Sequence, residues 1–232
     1  MNNKYYYEYE WDSKYCYPKS YVLKNKLNIK VQEELDEAER AITSIKTSQA
    51  VVSKIEGDFD FEHLKRIHRF LFEDIYDWAG CVRTVNISKG NQFCRFDYIE
   101  QQINQLFDKL KNENYLLDCS NKEEIGKRLA YYLSEINVIH PFREGNGRTQ
   151  RMFIEYLAHN AGYVIDFAKI SSDDMLEARA RAYACDYDMM EKIITEALLD
   201  KNEFSMLKYV SMRFRTSYLL YSAQFTINTE RK

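Results

Sequence analysis

Apolar residues recur along most of this chain at the spacing of one helix face. In residues 31–46 the apolar positions Leu35, Ala38, Ile42 and Ile45 return every three or four residues. The same period marks residues 61–76, 97–113, 122–140, 148–162 and 171–186, and helical patterns at 188–199 and 203–224 end the chain. Such a period is typical of amphipathic helices.

The period changes between residues 83 and 96. The stretches RTVNIS (83–88) and FCRF (93–96) carry β-type residues, and KGNQ lies between them. Because Gly90 and Asn91 tolerate positive φ, this pattern predicts a hairpin. We therefore expect a mostly α-helical bundle with one small β-hairpin. We expect a Tyr-rich arm at 1–30 packed on the domain, a helical domain at 31–200 and a helical extension at 201–232.

Composition narrows the function classes. Only 7 Gly and 2 Pro in 232 residues disfavour an all-β plan, and a net charge of −3 gives no global basic field for nucleic acid or an acidic membrane. No stretch approaches the roughly 20 apolar residues of a membrane span, and the N-terminus lacks the pattern of a signal peptide. The expected location is the cytoplasm. The 5 cysteines include no C-x-x-C, so we interpret them as reduced thiols.

One stretch, HPFREGNGRTQR at 140–151, concentrates chemistry-bearing residues. Pro141 disfavours a helical conformation at His140, so the preceding helix should end there. The loop that follows should leave the backbone N–H groups of Gly145, Asn146 and Gly147 at the start of the next helix. Unpaired N–H groups at the positive end of a helix make an anion site.

The side chains of this stretch fit a nucleotide phosphate. Arg148 and Arg151 are three residues apart and share a helix face, and two guanidiniums suit a polyphosphate. Glu144 suits Mg²⁺, which one carboxylate commonly holds together with phosphate oxygens and water. His140 can accept a proton near neutral pH. A solvated charged loop is the plainer interpretation, but the conjunction of these groups favours attack of a hydroxyl on a nucleotide phosphate.

The same twelve residues resemble the H-P-F-x-[D/E]-G-N-G-R-x-x-R signature of the Fic (filamentation-induced-by-cAMP) family, without departure at any fixed position. The resemblance extends to IHRFLFEDIYDWAGCVRTVNISKG (67–90) and YPKSYVLKNKLNI (17–29). The resemblance covers roughly residues 15–199, and over this range the chain is similar to single-domain Fic toxins of bacterial toxin–antitoxin pairs.

The resemblance implies a protein adenylyltransferase that uses ATP and Mg²⁺. His140 would be the general base that deprotonates a Ser, Thr or Tyr hydroxyl, and Glu144 would hold Mg²⁺. The turn at 145–147 would form the anion hole, and Arg148 and Arg151 would grip the β- and γ-phosphates. The products would be an AMP-modified protein and pyrophosphate.

The hairpin would then be a flap that pairs with the backbone of the target protein, with Ile87, Lys89, Gly90 and Phe93 as target-binding candidates. Type II topoisomerases are first target candidates by analogy alone. The family often carries an inhibitory [S/T]-x-x-x-E-[G/N] helix, but no stretch here completes that pattern. A separate small antitoxin supplying an inhibitory Glu to Arg151 is therefore expected.

Other functions also fit these residues. The transferred group could be UMP or a phosphoryl group, or the chain could be a catalytically silent nucleotide-binding module. The presence of His140 and Glu144 argues against the silent module. We expect the adenine pocket within residues 166–188, assign no residue to it, and leave a homodimer open. His63, His68 and His159 are interpreted as structural or surface residues.

Overall fold

The computed structural model describes residues 14–199, so the tyrosines before residue 14 and the last predicted helix lie outside the described residues. Within this range the chain forms seven α-helices. They are α1 (Gln32–Val52), α2 (Phe61–Phe72), α3 (Ile99–Asn112), α4 (Lys122–Ile139), α5 (Asn146–Asn160), α6 (Ser172–Ala182) and α7 (Asp188–Ala197). The predicted fold class, a mostly α-helical bundle, is confirmed.

Helix α4 runs through the centre of the bundle. Its residues Ile125, Leu129, Leu133 and Ile136 are fully buried. It contacts α3, α5, α6 and α7, and α5 in turn packs on α2, which carries α1. Each such apolar side chain contributes roughly 1.5–3 kcal/mol when it is fully buried. The loop that joins α4 to α5 is thus fixed at both ends to the best-packed part of the protein.

The boundaries of α4 and α5 follow from local chemistry. The side chain of Asn121 accepts a hydrogen bond from the N–H of Glu124 and caps the start of α4. Helix α4 ends at Ile139, directly before the position that Pro141 restricts, and His140 takes a left-handed conformation with φ 51°. Helix α5 begins two residues earlier than the sequence pattern predicts, because Gly145 adopts φ 80° as its N-cap.

The hairpin forms where it was predicted, but its strands are shorter. The strands β1 (Ser88–Lys89) and β2 (Asn91–Gln92) pair antiparallel around Gly90. The prediction of strands over 83–88 and 93–96 was therefore wrong in extent. A second antiparallel pair joins β3 (Val164–Ile165) to β4 (Leu198–Leu199). The helix predicted to reach residue 199 therefore ends at Ala197, and the next two residues extend to pair with β3.

The buried guanidinium of Arg83 explains the short strands. Its Nε donates to the carbonyl of His140 at 2.8 Å, and its terminal nitrogens donate to the carbonyls of Val85, Cys94 and Ile139. Backbone groups that a longer ladder would pair across the hairpin are instead held by this side chain. Burial lowers the pKa of Arg83 to about 10, so the guanidinium stays charged at neutral pH.

Residues 14–30 pack on the helical body. Tyr15 and Cys16 are buried, and the guanidinium of Arg143 lies 5.7 Å from the centre of the Tyr15 ring. The N–H of Lys26 donates to the carbonyl of Ile75 at 2.8 Å. The domain boundaries at residues 30 and 200 stay predictions. In residues 14–199 no helix combines the length and the apolar character needed to cross a membrane.

Replacing Arg83 by Lys should destabilise the protein by roughly 2–4 kcal/mol, because an ammonium cannot fork to four carbonyls and leaves buried acceptors unpaired. Chemical denaturation of both proteins measures the loss. Arg66→Lys, at an exposed position of α2, is the matched control and should cost little. Equal losses in the two variants would contradict the proposed importance of Arg83.

Candidate active site

The loop between α4 and α5 is closed by the side chain of Asn146. Its Oδ1 accepts from the N–H of Phe142 at 2.9 Å, and its Nδ2 donates to the carbonyl of the same residue at 2.7 Å. Asn146 and Phe142 are both buried. The amide side chain thus satisfies both backbone groups of Phe142, which explains why this position between two glycines carries Asn.

His68 supports the loop from α2. Its Nδ1 accepts from the N–H of Gly80 at 2.8 Å, so its Nε2 carries the proton and donates to the carbonyl of Glu144 at 3.0 Å. The ring stacks on Phe142 with 3.9 Å between centres. Burial lowers the pKa of His68 to about 3, so the ring is neutral and its tautomer is fixed. The interpretation of His68 as structural agrees with these contacts, but its position under the motif was not foreseen.

The two glycines of the turn have different surroundings. Gly145 has φ +80°, and a Cβ on it would lie 2.2 Å from the ring of Phe72. A Cβ on Gly147 would lie 3.6 Å from guanidinium nitrogens of Arg151 and Arg179, which is an ordinary contact. Gly145 is therefore required by backbone and packing, whereas Gly147 leaves open space where two cationic side chains converge.

A backbone N–H at the start of α5 donates to a carboxylate. The N–H of Gly145 donates to Oε1 of Glu144 at 2.8 Å. The same Oε1 lies 3.7 Å from a terminal nitrogen of Arg148. An anion thus occupies the helix N-terminus in this structure, as the positive end of a helix favours.

The imidazole of His140 has one nitrogen engaged. Its Nδ1 lies 3.0 Å from the carbonyl of Asn137, which can only accept, so Nδ1 carries the proton and Nε2 keeps its lone pair. Phe93 of the hairpin stacks on the ring with 3.7 Å between centres. Burial, together with the cations Arg179, Arg83 and Lys89, lowers the pKa of His140 to about 3, against the opposing effect of the hydrogen bond to Asn137. His140 is therefore neutral and offers Nε2 as an acceptor.

The two motif arginines, predicted to share a helix face, have different partners. Arg148 donates to the carboxylate of Glu39 and, at 3.2 Å, to Oγ1 of Thr43, both on α1. Arg151 makes no side-chain hydrogen bond with residues 14–199. Burial and the charge of Arg148 lower the pKa of Arg151, while Glu155 opposes the shift. Burial raises the pKa of Glu155 to about 7, so this carboxyl is a weak counter-charge for Arg151.

The four hairpin residues predicted to contact a target fall into two groups. Ile87 and Phe93 are buried, and the N–H of Phe93 donates to the carbonyl of Ile87 at 3.2 Å. They anchor the hairpin. Lys89 is half-buried, and the attraction of Glu144 partly offsets the lowering of its pKa by burial, which indicates that its side chain approaches the loop. Gly90 stands at the open tip, with no atom within 4 Å of an added Cβ.

Sequence reasoning did not identify Arg179 of α6. Its guanidinium reaches the space above Gly147, and its charge acts on both His140 and Lys89. The stretch 171–186 also carries Arg181, and nothing in the helical pattern distinguishes the two. No group of three or more potential metal-ligating side chains occurs within residues 14–199.

Comparison with known proteins identifies relatives of this chain. The model of the Fic/DOC family matches residues 58–158. The probable protein adenylyltransferase y4lH of Sinorhizobium fredii is 42% identical over 172 residues, which cover 74% of this chain and 88% of the relative. The chain belongs to the Fic/DOC family. The prediction of a nucleotidyltransferase enzyme is confirmed, since the curated relatives of this Fic protein are named protein adenylyltransferases.

Two further relatives extend the comparison. The protein adenylyltransferase VbhT of Bartonella schoenbuchensis is 39% identical over 189 residues, which cover 80% of this chain but 39% of that longer protein. The N-terminal Fic domain of a putative cell filamentation protein from Bartonella quintana, solved with bound ADP, superposes with a TM-score of 0.75 at 29% identity. That match covers 82% of this chain and 97% of the solved chain.

Alanine at Gly145 and at Gly147 should have unequal effects. Gly145→Ala should lower the free energy of unfolding by roughly 2–5 kcal/mol, because it combines a left-handed backbone with overpacking against Phe72. Gly147→Ala, in the first turn of α5, should change it by less than about 1 kcal/mol. Denaturant titration of the two variants measures the difference. Comparable losses would contradict the unequal surroundings of the two glycines.

Proposed function

We propose that this Fic protein transfers AMP from ATP to a Ser, Thr or Tyr hydroxyl of a target protein in the cytoplasm. The observation that carries the proposal is the state of His140. A neutral imidazole with a fixed Nδ1 proton offers its Nε2 lone pair, and in the following turn the N–H of Gly145 donates to the carboxylate of Glu144. A base, an oxyanion cradle and phosphate-binding cations in one place suit attack on a phosphate.

The proposed reaction is a single displacement at the α-phosphorus of ATP. The hydroxyl oxygen of the target attacks the α-phosphorus of ATP while its proton passes to Nε2 of His140. The bond from the α-phosphorus to the oxygen that bridges to the β-phosphate breaks, and pyrophosphate leaves with both bonding electrons. The negative charge of the bound nucleotide counteracts the cations around His140 and raises its proton affinity.

Gly145, Asn146 and Gly147 supply backbone N–H groups to the phosphates in this proposal. Arg148 and Arg151 would bind the β- and γ-phosphates. Glu144, at the mouth of the loop, would hold Mg²⁺, since one carboxylate with phosphate oxygens and water is a common magnesium arrangement. The ion supplies charge neutralisation on the phosphates when bound. The carboxylate of Glu144 lies next to the turn proposed to bind the phosphates, where its Oε1 accepts from the N–H of Gly145.

The hairpin is the proposed docking site for the target. Short strands that end at an open tip leave backbone groups for an added strand, a common mode of peptide binding. Phe93 joins the hairpin to the ring of His140, so a target segment paired there would lie next to the base. Lys89 and Gly90 would contact the segment, whereas Ile87 and Phe93 hold the hairpin in place.

We also propose that a separate small antitoxin restrains the enzyme by presenting a Glu to Arg151. Two observations support this. The sequence does not complete the family's inhibitory pattern, and the side chain of Arg151 makes no hydrogen bond with the described residues 14–199. A carboxylate from outside would find a guanidinium whose hydrogen-bonding capacity is open. Its charge would also favour the protonated form of this buried group.

Transfer of UMP or of a phosphoryl group is the second candidate. The ADP bound to the Bartonella quintana domain and the names of the curated relatives favour an adenine nucleotide. A silent nucleotide-binding module is disfavoured because binding alone does not need the base.

His140→Ala should reduce transfer of label from α-labelled ATP to protein by roughly 10²–10⁴-fold while ATP still binds. His159→Ala, at an exposed position of α5, is the control and should retain transfer. Parallel reactions with γ-labelled ATP and α-labelled UTP identify the transferred group. Unchanged label transfer in His140→Ala would exclude the assigned mechanism, and label from the γ-position would indicate phosphoryl transfer.

Restraint by an antitoxin can be checked by purifying the chain with and without the product of its neighbouring gene. We expect automodification in labelled ATP to fall when the neighbour is present. Arg151→Lys should escape this restraint in part, because an ammonium cannot pair with a carboxylate through two parallel hydrogen bonds. Equal automodification of the wild type in both preparations would count against a separate antitoxin.

A further inference from the structure

A buried carboxylate on α1 holds the first motif arginine. Glu39 is 8% exposed. Its Oε1 accepts from the terminal nitrogen of Arg148, and its Oε2 accepts from the hydroxyl of Tyr76 at 2.5 Å. Thr43, one helical turn further along α1, accepts from the other terminal nitrogen of Arg148 at 3.2 Å. Three side chains from outside the motif therefore contact this arginine or its partner.

The network holds an ionisable group in a buried position. Burial raises the pKa of Glu39, and repulsion from Glu144 raises it further, while Arg148 and the Tyr76 hydroxyl act in the opposite direction. A buried ion pair is weak evidence for stability, because well-packed apolar residues can often replace it without loss. What the network supplies instead is a defined position for the Arg148 guanidinium.

That position lies beside the loop that joins α4 to α5. The guanidinium stands 4.8 Å from the centre of the Phe72 ring, the same ring that a Cβ on Gly145 would strike. It also lies 3.7 Å from the carboxylate of Glu144. A guanidinium has five N–H donors, and Glu39 and Thr43 engage two of them. Donors therefore remain for a phosphate while the contacts with α1 persist.

We infer that Glu39, assisted by Tyr76 and Thr43, is a positioning residue that fixes Arg148 for the terminal phosphates of the nucleotide. The inference rests on the proposed function, in which Arg148 binds the β- and γ-phosphates. An arginine held in place before binding loses less side-chain entropy when the phosphate arrives. The enzyme thereby favours ATP over AMP, which lacks the phosphates that Arg148 reaches.

Glu39 is not the inhibitory glutamate of the family pattern. Leu35 stands four residues before it where that pattern needs Ser or Thr, and Arg40 follows it where Gly or Asn is needed. Its partner is the first motif arginine, whereas the inhibitory glutamate is expected to engage the second, Arg151. The two carboxylates would thus act on different arginines and in opposite directions.

Calorimetric titration of the full chain with ATP and with AMP tests the inference. Glu39→Gln keeps the shape of the side chain but removes its charge, and it should weaken ATP binding by roughly 3- to 10-fold while AMP binding stays constant. Removing a negative charge near the site would by itself strengthen ATP binding, so the expected sign is opposite to a simple Coulomb effect. Glu37→Gln, at an exposed position of α1, is the control and should change neither affinity.

Arg148→Gln separates this inference from the proposed function. If it leaves ATP binding unchanged, Arg148 does not bind the terminal phosphates and the proposed function fails at that residue. If it weakens ATP binding and Glu39→Gln does not, the positioning role alone is overturned. When both singles weaken ATP binding, the double variant should bind ATP no more weakly than Arg148→Gln, since the two residues act through one contact. Additive losses would overturn the inference.

Tyr76→Phe keeps the test decisive should Glu39→Gln fail to fold. It removes the hydroxyl that orients Glu39 and retains the ring, which stacks on Trp78 with 4.3 Å between centres. We expect a smaller loss of ATP binding in the same direction, again with AMP binding unchanged. Equal losses for ATP and AMP would indicate a general structural effect and overturn the inference.

Discussion

The site depends on one buried guanidinium. Arg83 binds the carbonyls that end α4, including that of His140, and it binds the two backbone stretches at the base of the hairpin. The carbonyls at the C-terminus of a helix lack intrahelical partners, and a cation there is favourable. One side chain therefore links the proposed base to the proposed docking strand. The stacking of Phe93 on His140 follows from this arrangement.

The motif divides its side chains between two tasks. Asn146 and Phe142 are turned inward and hold the loop closed, and neutral His68 fixes the carbonyl of Glu144 from below. These buried polar groups are fully committed to the scaffold. What the loop presents outward is backbone N–H, one carboxylate and one imidazole nitrogen. A rigid inner layer that fixes a reactive outer layer is the condition for preorganised catalysis.

The positions of the helices could be predicted from the sequence because local patterns encode them. Pro141 predicted the end of α4, and the spacing of apolar residues predicted the helices. The contacts that complete the site have no local signal, since Arg83 and His140 are 57 residues apart, His68 and Glu144 are 76 apart, and Glu39 and Arg148 are 109 apart. The hairpin strands were overestimated for the same reason, because β-type residues at 83–88 and 93–96 do not reveal that a buried arginine takes their carbonyls. The long-range contacts and the length of the hairpin strands depend on tertiary packing.

Arg148 and Arg151 look equivalent in the sequence, three residues apart on one helix face, yet the structure assigns them unlike environments. Arg148 is bound from within by Glu39 and Thr43 of α1. Arg151 is partly buried beside a carboxyl whose raised pKa makes it a weak partner. An external carboxylate would have to compete with Glu39 for the guanidinium of Arg148. An arginine with open donors is a better partner, so any carboxylate that arrives from outside should select Arg151 rather than the internally held Arg148.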